Sequence, residues 1–217
     1  MSEIINNYIA VQSNINKNIT QDKPKIIAVT KTFLYEKIKP LVDHGHHHFG
    51  ENKVQEAKNK WNVKTDRDKI SLHMIGKLQS NKAKEAVKIF DFIHSLDNEK
   101  LAKKLSESEL LLKKKLKYFI QVNVGKESQK AGIETNHLEQ FFRYCVNDLN
   151  LNIIGLMAIP PLDHKPDIYF KNLNDQAKLL NLKHLSMGMS NDYLIAIKYG
   201  ATFVRIGSSI FGTRSKK

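Results

Sequence analysis

The sequence predicts an α/β protein: a single-domain (β/α)8 TIM barrel with an additional N-terminal helix. Short runs rich in Ile, Val and Phe alternate along the chain with longer amphipathic segments. Eight such runs occur, with a helical segment between each neighbouring pair, and this strict alternation is typical of a parallel sheet. No Pro-, Gly- or Ser-rich linker divides the 217 residues. Eight units in one domain therefore favour closure into a barrel, with a doubly wound open sheet as the alternative.

The boundaries of the elements follow from hydrophobic spacing. Apolar residues recur every three or four positions over 2–20, which predicts the N-terminal helix, and Pro24 follows as a break. We assign 1–217 to one domain, with the barrel over 25–207, and Asn98 is expected to cap a helix. The strands are predicted at 25–31, 47–52, 71–76, 90–95, 117–123, 152–159, 184–188 and 202–207. The helices between them are predicted at 33–44, 53–61, 81–87, 98–115, 135–149, 167–180 and 190–199.

Charge and cysteine content narrow the classes of protein. The formal net charge of +13 would suit an anionic partner such as nucleic acid. The lysines are spread along the chain, however, and the tightest run, 113–115, is expected to end a helix, so nucleic acid is disfavoured. The single cysteine, Cys145, can form no internal disulfide, which suits the cytoplasm. We expect no signal peptide and no membrane association, because no apolar run is long enough to span a bilayer.

Polar residues and glycines follow the predicted strands at the end where barrels carry their active sites. Lys31 ends the first strand, where a lysine either extends its stem to solvent or serves as a reactive amine. The segments 186–190 and 205–209 each combine a glycine with serines. Such loops can bind phosphate through backbone N–H groups, although they can also be ordinary turns and caps. An amine facing a phosphate site suggests pyridoxal 5′-phosphate (PLP) as cofactor.

Several motifs in this order resemble one family. They are Ala-Val-Thr-Lys-Thr at 28–32, Phe-Gly-Glu-Asn at 49–52 followed by Val-Gln-Glu at 54–56, His-Met-Ile-Gly-Lys-Leu-Gln-Ser-Asn-Lys at 73–82, Leu-Ser-Met-Gly-Met-Ser-Asn-Asp at 185–192, and Val-Arg-Ile-Gly at 204–207. By these motifs the sequence resembles the pyridoxal phosphate homeostasis proteins, whose barrel is similar to the N-terminal domain of alanine racemase. The resemblance extends from the first strand to the end of the chain.

The resemblance implies which residues bind PLP. They are Lys31 through a Schiff base, Asn52 beside the ring, Arg205 opposite the pyridine nitrogen, and Ser186, Met187, Ser190, Gly207 and Ser208 around the phosphate. Whether Ser208 or Ser209 supplies the hydroxyl is left open. No metal site is expected, because the neighbouring histidines of 46–48 alternate sides on a strand and cannot converge on one ion. His73 is expected to be a core or supporting residue.

The implied partner of the pyridine nitrogen bears on the activity. An arginine donates hydrogen bonds and keeps its proton at neutral pH, so the ring would be a weak electron sink. No tyrosine is evidently placed as a second acid or base, and Tyr193 and Tyr199 are expected to pack. We therefore expect a monomeric PLP-binding protein of vitamin B6 homeostasis without amino-acid turnover, with PLP-dependent apoenzymes as candidate recipients. The alternatives are a single-domain PLP-dependent amino-acid racemase and a nucleic-acid-binding module driven by charge.

Overall fold

The computed structural model describes residues 2–19, 22–61, 67–125, 127, 129, 131–161 and 165–212. Eight parallel strands form a closed barrel in chain order, with the first strand paired to the last. The predicted barrel is thereby confirmed, and the open sheet is excluded. The strands are β1 Lys25–Val29, β2 His48–Glu51, β3 Ser71–Met74, β4 Phe92–Leu96, β5 Lys117–Gln121, β6 Ile153–Met157, β7 His184–Met189 and β8 Phe203–Ile206.

Helices surround the barrel, and the additional N-terminal helix is confirmed. They are α1 Glu3–Asn18, α2 Tyr35–Asp43, α3 Val54–Trp61, α4 Ala83–Ile89, α5 Glu99–Leu112, α6 Leu138–Arg143, α7 Pro166–Leu179, α8 Tyr193–Lys198 and α9 Ser208–Phe211. On α1, Asn7 donates from Nδ2 to the carbonyl of Ile210 at 3.2 Å, which ties the first helix to the last. No helix in the described part of the chain is long and apolar enough to cross a membrane.

The two ends of α5 follow from local chemistry. Asn98 caps its N-terminus as predicted, since its side-chain oxygen accepts from the Leu101 amide at 2.9 Å. The helix ends three residues earlier than the predicted 98–115, because Lys113 adopts the left-handed conformation with φ of 50°. The Lys114 ammonium then donates to the carbonyl of Phe90 at 2.8 Å. The basic run therefore serves partly to attach the helix end to the barrel.

The predicted helix 135–149 is composite. A 3-10 turn at Thr135–His137 leads into α6, and a π-helical turn at Tyr144–Asp148 follows. In that turn the Leu149 amide reaches the carbonyl of Tyr144, one residue further back than in an α-helix. Hydrophobic spacing cannot distinguish these variants, because each of them keeps one side of the segment against the barrel.

The strands are apolar on both faces because both faces are covered. Their outward side chains pack with the helices in one large core. Their inward side chains form a small cluster inside the barrel, consisting of Ile27, Phe92, Phe119, Met157 and Phe203. The barrel interior below the C-terminal ends of the strands is therefore largely filled by aromatic rings.

Candidate functional site

A pocket of about 550 Å³ lies at the C-terminal end of the barrel. It contains most of the residues that the sequence predicted to act together. Those lining the pocket are Lys31, Asn52, Ser190, Arg205, Gly207 and Ser208. Its other lining residues are Val29, Phe33, Ile75, Ile159, Met189, Asn191, Asp192 and Gly212, which sequence reasoning did not single out. Ser186 and Met187 do not line it.

A buried ion pair lies behind Lys31, on the outer side of the barrel. The side chains of Glu51 and Lys60 are 0% and 6% exposed, and Nζ lies 2.7 Å from Oε1. The same carboxylate oxygen accepts from Thr30 Oγ1 at 2.7 Å and from Trp61 Nε1 at 3.1 Å. Burial raises the pKa of Glu51, while the charge of Lys60 and these donors oppose that shift. The Lys60 ammonium also donates to the carbonyl of Thr30 at 2.7 Å, which fixes the backbone directly before Lys31.

The backbone after Lys31 is held by α3, the helix that also carries Lys60. The amide of Thr32 donates to Oε1 of Glu56 on α3, and that oxygen also accepts from Lys60 at 3.1 Å. Thr32 has a φ of 70°, a conformation that is costly for a β-branched residue. A strained residue needs fixed neighbours, and the hydrogen bonds around Lys31 provide them. The result is a lysine whose backbone is tightly set at the pocket rim.

Asn52 is held by a close approach of two loops. It follows β2, and Gly76 follows β3 across the pocket wall. A Cβ atom at Gly76 would lie 2.4 Å from the carbonyl oxygen of Asn52 and 2.9 Å from its Cβ. Any side chain at this position would collide with backbone. Glycine is therefore required for the two loops to pack together and for Asn52 to line the pocket.

Two backbone N–H groups converge on one oxygen at the wall formed by the loops after β7 and β8. The amides of Gly207 and Ser209 donate to Oγ of Ser190 at 3.3 and 3.5 Å. The preceding turn is set by Asp192, whose Oδ1 accepts from the Met189 amide at 2.6 Å. An oxygen position that receives two amide hydrogens is one that a phosphate oxygen can also occupy. This wall is therefore suited to an anionic group.

Arg205 provides the third feature of the pocket. Only 4% of Arg205 is exposed to solvent. Nη1 donates to the carbonyl and to Oγ of Ser186 at 2.7 and 2.8 Å, and Nη2 donates to the carbonyl of Ala158 at 2.9 Å. Burial lowers its pKa to about 10, against the opposing charge of Asp192, so it remains cationic at neutral pH. In the described part of the chain, its Nε–H has no hydrogen-bond partner and can serve a ligand.

The two predicted residues outside the lining occupy alternate faces of β7. Ser186 is fully buried inside the barrel, where Oγ is hydrogen-bonded to Arg205 and to Nδ1 of His94 at 2.8 Å. Met187 is fully buried in the core between the barrel and the helices. Their side chains lie apart because neighbouring strand residues face opposite sides.

The histidine run disperses in three directions. Nδ1 of His46 is bonded to the Tyr8 hydroxyl at 3.0 Å, and Nδ1 of His47 to the carbonyl of Lys69 at 2.8 Å. His48 enters the barrel and contacts Nε2 of His73 at 3.0 Å. Among the residues that the structure describes, no group of three or more His, Cys, Asp or Glu side chains is arranged to bind a metal ion.

Comparison with known proteins gives consistent matches. The family model described as alanine racemase, N-terminal domain, matches residues 3–215. A protein named pyridoxal phosphate homeostasis protein from Aquifex aeolicus is 38% identical over 199 residues, covering 88% of this chain and 87% of its own length. Its namesake from Escherichia coli is 32% identical over 234 residues, covering 100% of both chains.

Solved structures agree with these matches. PipY of Synechococcus elongatus, solved with PLP bound, has a TM-score of 0.85 and 34% identity, covering 96% of this chain and 100% of that chain. An alanine racemase from Clostridium difficile has a TM-score of 0.71 at 15% identity, covering 94% of this chain and 56% of that chain. At that low identity the racemase shares the fold, and nothing more follows from it.

Proposed function

This chain belongs to the alanine racemase N-terminal domain family, and within it to the pyridoxal phosphate homeostasis proteins, and we propose that it binds PLP and acts in PLP homeostasis. The observation that carries the proposal is the pocket itself. Around a volume of about 550 Å³ it combines a lysine, a buried cationic arginine and a serine hydroxyl oxygen that receives two amide hydrogens. PLP offers an aldehyde, a ring nitrogen and a phosphate, which are the three groups that such a pocket can bind.

The residues divide between these three groups. Lys31 forms the Schiff base, and Asn52 lies beside the ring. The converging amides of Gly207 and Ser209, with the hydroxyls of Ser190 and Ser208, bind the phosphate. Support comes from Ser190 Oγ, which accepts both amide hydrogens and so shows that an oxygen atom fits at this wall. PLP supplies an electrophilic aldehyde and an electron-withdrawing ring when it is bound.

Arg205 faces the pyridine nitrogen in this proposal. Because it stays protonated, it can donate to the nitrogen but cannot supply a proton to it. Ser186 and Met187 take other roles than the phosphate contacts that the resemblance implied. Ser186 acts through Arg205, to which its hydroxyl and carbonyl are bonded. Met187 supports the strand by packing on its outer side.

We further propose that the bound PLP is carried and not used for amino-acid turnover. A racemase needs acid and base groups that can face both sides of a substrate. Among the described residues lining the pocket none is a tyrosine, and the carboxylate that lines it, Asp192, accepts the hydrogen bond of the Met189 amide. Purified PLP-loaded protein incubated with alanine in heavy water should incorporate no deuterium at the α-carbon. Incorporation in proportion to bound PLP would instead establish the racemase alternative.

The partners of such a carrier would be PLP-dependent apoenzymes. The pocket on one barrel already brings together groups for the aldehyde, the ring nitrogen and the phosphate, so this proposal requires no residue from a second copy, and the one cysteine is compatible with the cytoplasm. Mixing the loaded protein with an apoenzyme should restore the enzyme's activity. If transfer is direct, the apoenzyme should regain activity faster than it does with free PLP alone at the concentration that dissociates from the loaded protein. If transfer is passive, the two rates of reactivation should be equal.

Lys31→Ala is the most direct test of the PLP site. We expect the variant to lose the visible absorption of bound PLP and the covalent adduct that borohydride fixes in the wild type, because no lysine besides Lys31 is among the described residues that line the pocket. Lys77→Ala is a matched control, since Lys77 is an exposed lysine on the loop after β3. Peptide mass spectrometry after reduction identifies the modified lysine. An adduct that persists in Lys31→Ala, or one found on Lys77, would refute the assignment.

A further inference from the structure

Behind Arg205, four hydrogen bonds in series cross the interior of the barrel. Nη1 of Arg205 lies 2.8 Å from Ser186 Oγ, which lies 2.8 Å from Nδ1 of His94. Nε2 of His94 lies 2.8 Å from Nδ1 of His73, and Nε2 of His73 lies 3.0 Å from Nδ1 of His48. We call Ser186, His94, His73 and His48 the relay. It joins β7, β4, β3 and β2 and leads away from the pocket.

The direction of every hydrogen bond in the relay follows from Arg205. A guanidinium can only donate, so Ser186 Oγ accepts from it. The hydroxyl hydrogen must then go to Nδ1 of His94, since otherwise a buried donor would have no partner, which is strongly unfavourable. His94 thus has its proton on Nε2 and donates it to His73. By the same logic His73 donates from Nε2 to His48, whose proton is also on Nε2.

Aromatic rings hold the imidazoles in this arrangement. His73 stacks on Phe92 with a centroid distance of 4.2 Å and an angle of 13° between planes. His94 stacks on Phe119 at 4.3 Å and 17°. Phe203 packs edge-on against His94, with an angle of 78°. A ring that turned to break its hydrogen bonds would lose these contacts, so the packing and the relay reinforce each other.

The surroundings favour uncharged imidazoles. Burial lowers the pKa of His94 and of His73 well below the ordinary value, and the charge of Arg205 adds to this effect on His94. His48 is half-buried and experiences the positive charges of Lys25, Lys117 and His47, and burial is the main cause that lowers its pKa to about 4. A charged His73 or His48 would also place its Nδ1–H group against the Nε2–H group of the preceding histidine in the relay.

We propose that the relay residues position Arg205 and present it with a row of aligned, neutral dipoles in place of a carboxylate. Each donor points away from the guanidinium, so each acceptor end points towards it and stabilises its charge. A carboxylate at this position would cancel the charge that Arg205 presents to a ligand. The relay stabilises the cation without cancelling it, and so keeps a facing ring nitrogen unprotonated. Only this last consequence rests on the proposed function.

Nitrogen-15 NMR of the histidine side chains tests the relay without any ligand. At near-neutral pH we expect His48, His73 and His94 to be neutral with the proton on Nε2, with signals assigned from single His→Gln variants. In Ser186→Ala, His94 loses its fixed donor, so His94 and His73 should become mixtures of tautomers, and Ser186→Thr should restore the wild-type pattern. A proton on Nδ1 of His94 or His73 in the wild type would overturn the proposal.

Thr202→Val is the matched control. Thr202 Oγ1 is bonded to the backbone of Leu185 on the same strand as Ser186 but takes no part in the relay. This variant should leave all three tautomers unchanged, and a change equal to that of Ser186→Ala would overturn the proposal by showing a general disturbance of β7.

The ligand readout uses PLP labelled with nitrogen-15 in the ring. A cation beside the nitrogen lowers its pKa, so a loosely held Arg205 should let that pKa rise, by about one pH unit in Ser186→Ala. If Ser186→Ala kept the histidine tautomers of the wild type and also left the pKa of the PLP ring nitrogen unchanged, the proposal that the relay positions Arg205 would be refuted. Failure of PLP to bind at all would refute the proposed function, and the ligand-free tautomers would still decide whether the relay exists.

Discussion

Among the described residues that line the pocket are a lysine and an arginine, and the barrel holds them in opposite ways. Lys31 is set from outside by charges, through the buried pair of Glu51 and Lys60. Arg205 is held from inside by carbonyls, a hydroxyl and the neutral relay behind it. The difference follows from position. The ion pair lies on the outer side of β2, where its carboxylate orders the backbone without entering the pocket. An acid in direct contact with Arg205 would instead neutralise the charge that faces the ligand.

The largest expected effect comes from breaking the ion pair. Lys60→Met leaves the fully buried carboxylate of Glu51 without its counter-charge, which typically costs about 3–5 kcal/mol of unfolding free energy. The double variant Glu51→Gln with Lys60→Met removes both charges and should recover much of that loss. Urea unfolding measures all three proteins. If the arrangement behind Lys31 depends on charge pairing, the single variant must be the least stable of them.

Lys58→Met on the same helix is the control for this prediction. Lys58 pairs with Glu85 at 3.1 Å, but the two side chains are 45% and 34% exposed. Exposed pairs contribute about 0–1 kcal/mol. A Lys60→Met variant no less stable than Lys58→Met would mean that Glu51 is already protonated, and the contrast between charged and neutral support would fail.

The neutral support should appear in the pH dependence of stability. His73 and His94 have pKa values well below normal because they are buried, whereas unfolded histidines take up protons near pH 6.5. As the pH falls below that value, the unfolded state binds more protons, so the unfolding free energy decreases. The slope is up to about 1.4 kcal/mol per pH unit for each histidine kept neutral. Urea unfolding from neutral to mildly acidic pH should show this decline.

The contribution of the relay to that slope can be isolated. His94→Gln should reduce the slope by up to one histidine's share, whatever its effect on stability at neutral pH. His137→Gln, at an exposed position, should leave the slope as it is. An unchanged slope in His94→Gln would mean that this imidazole takes up its proton over the same pH range in the folded and unfolded states, which contradicts the neutral relay.

The same contrast explains what the sequence could predict. The alternation of strand and helix predicts the barrel because it is a local pattern, and the strand ends then place Lys31 and Arg205 at one mouth. The relay is not local. His48, His73, His94 and Ser186 are separated along the chain by 25, 21 and 92 positions, and each lies on a different strand.

The sequence does contain a weaker signal for the relay. In Phe92-Ile93-His94 the histidine shares the face of Phe92, so period two already places it inside the barrel. What the sequence cannot supply is the register between strands, which decides whether inward histidines on β3 and β4 meet. The sequence did not identify the partner of Glu51 for a similar reason. Lys60 has the pattern of an ordinary surface residue of a helix, and its contact with Glu51 depends on how that helix packs on the barrel.

The smallest expected effect distinguishes neighbours within one histidine run. The ring of His47 is bonded to the carbonyl of Lys69 and is exposed, whereas the ring of His48 is the far end of the relay. His47→Gln should change the unfolding free energy by less than about 0.5 kcal/mol, as surface substitutions usually do. His48→Gln should change the tautomer signals of His73, because an amide can accept the Nε2 proton only in one orientation. If His47→Gln changed the tautomer signals of His73 as much as His48→Gln does, the specific contact between His48 and His73 would not be the cause, and this prediction would fail.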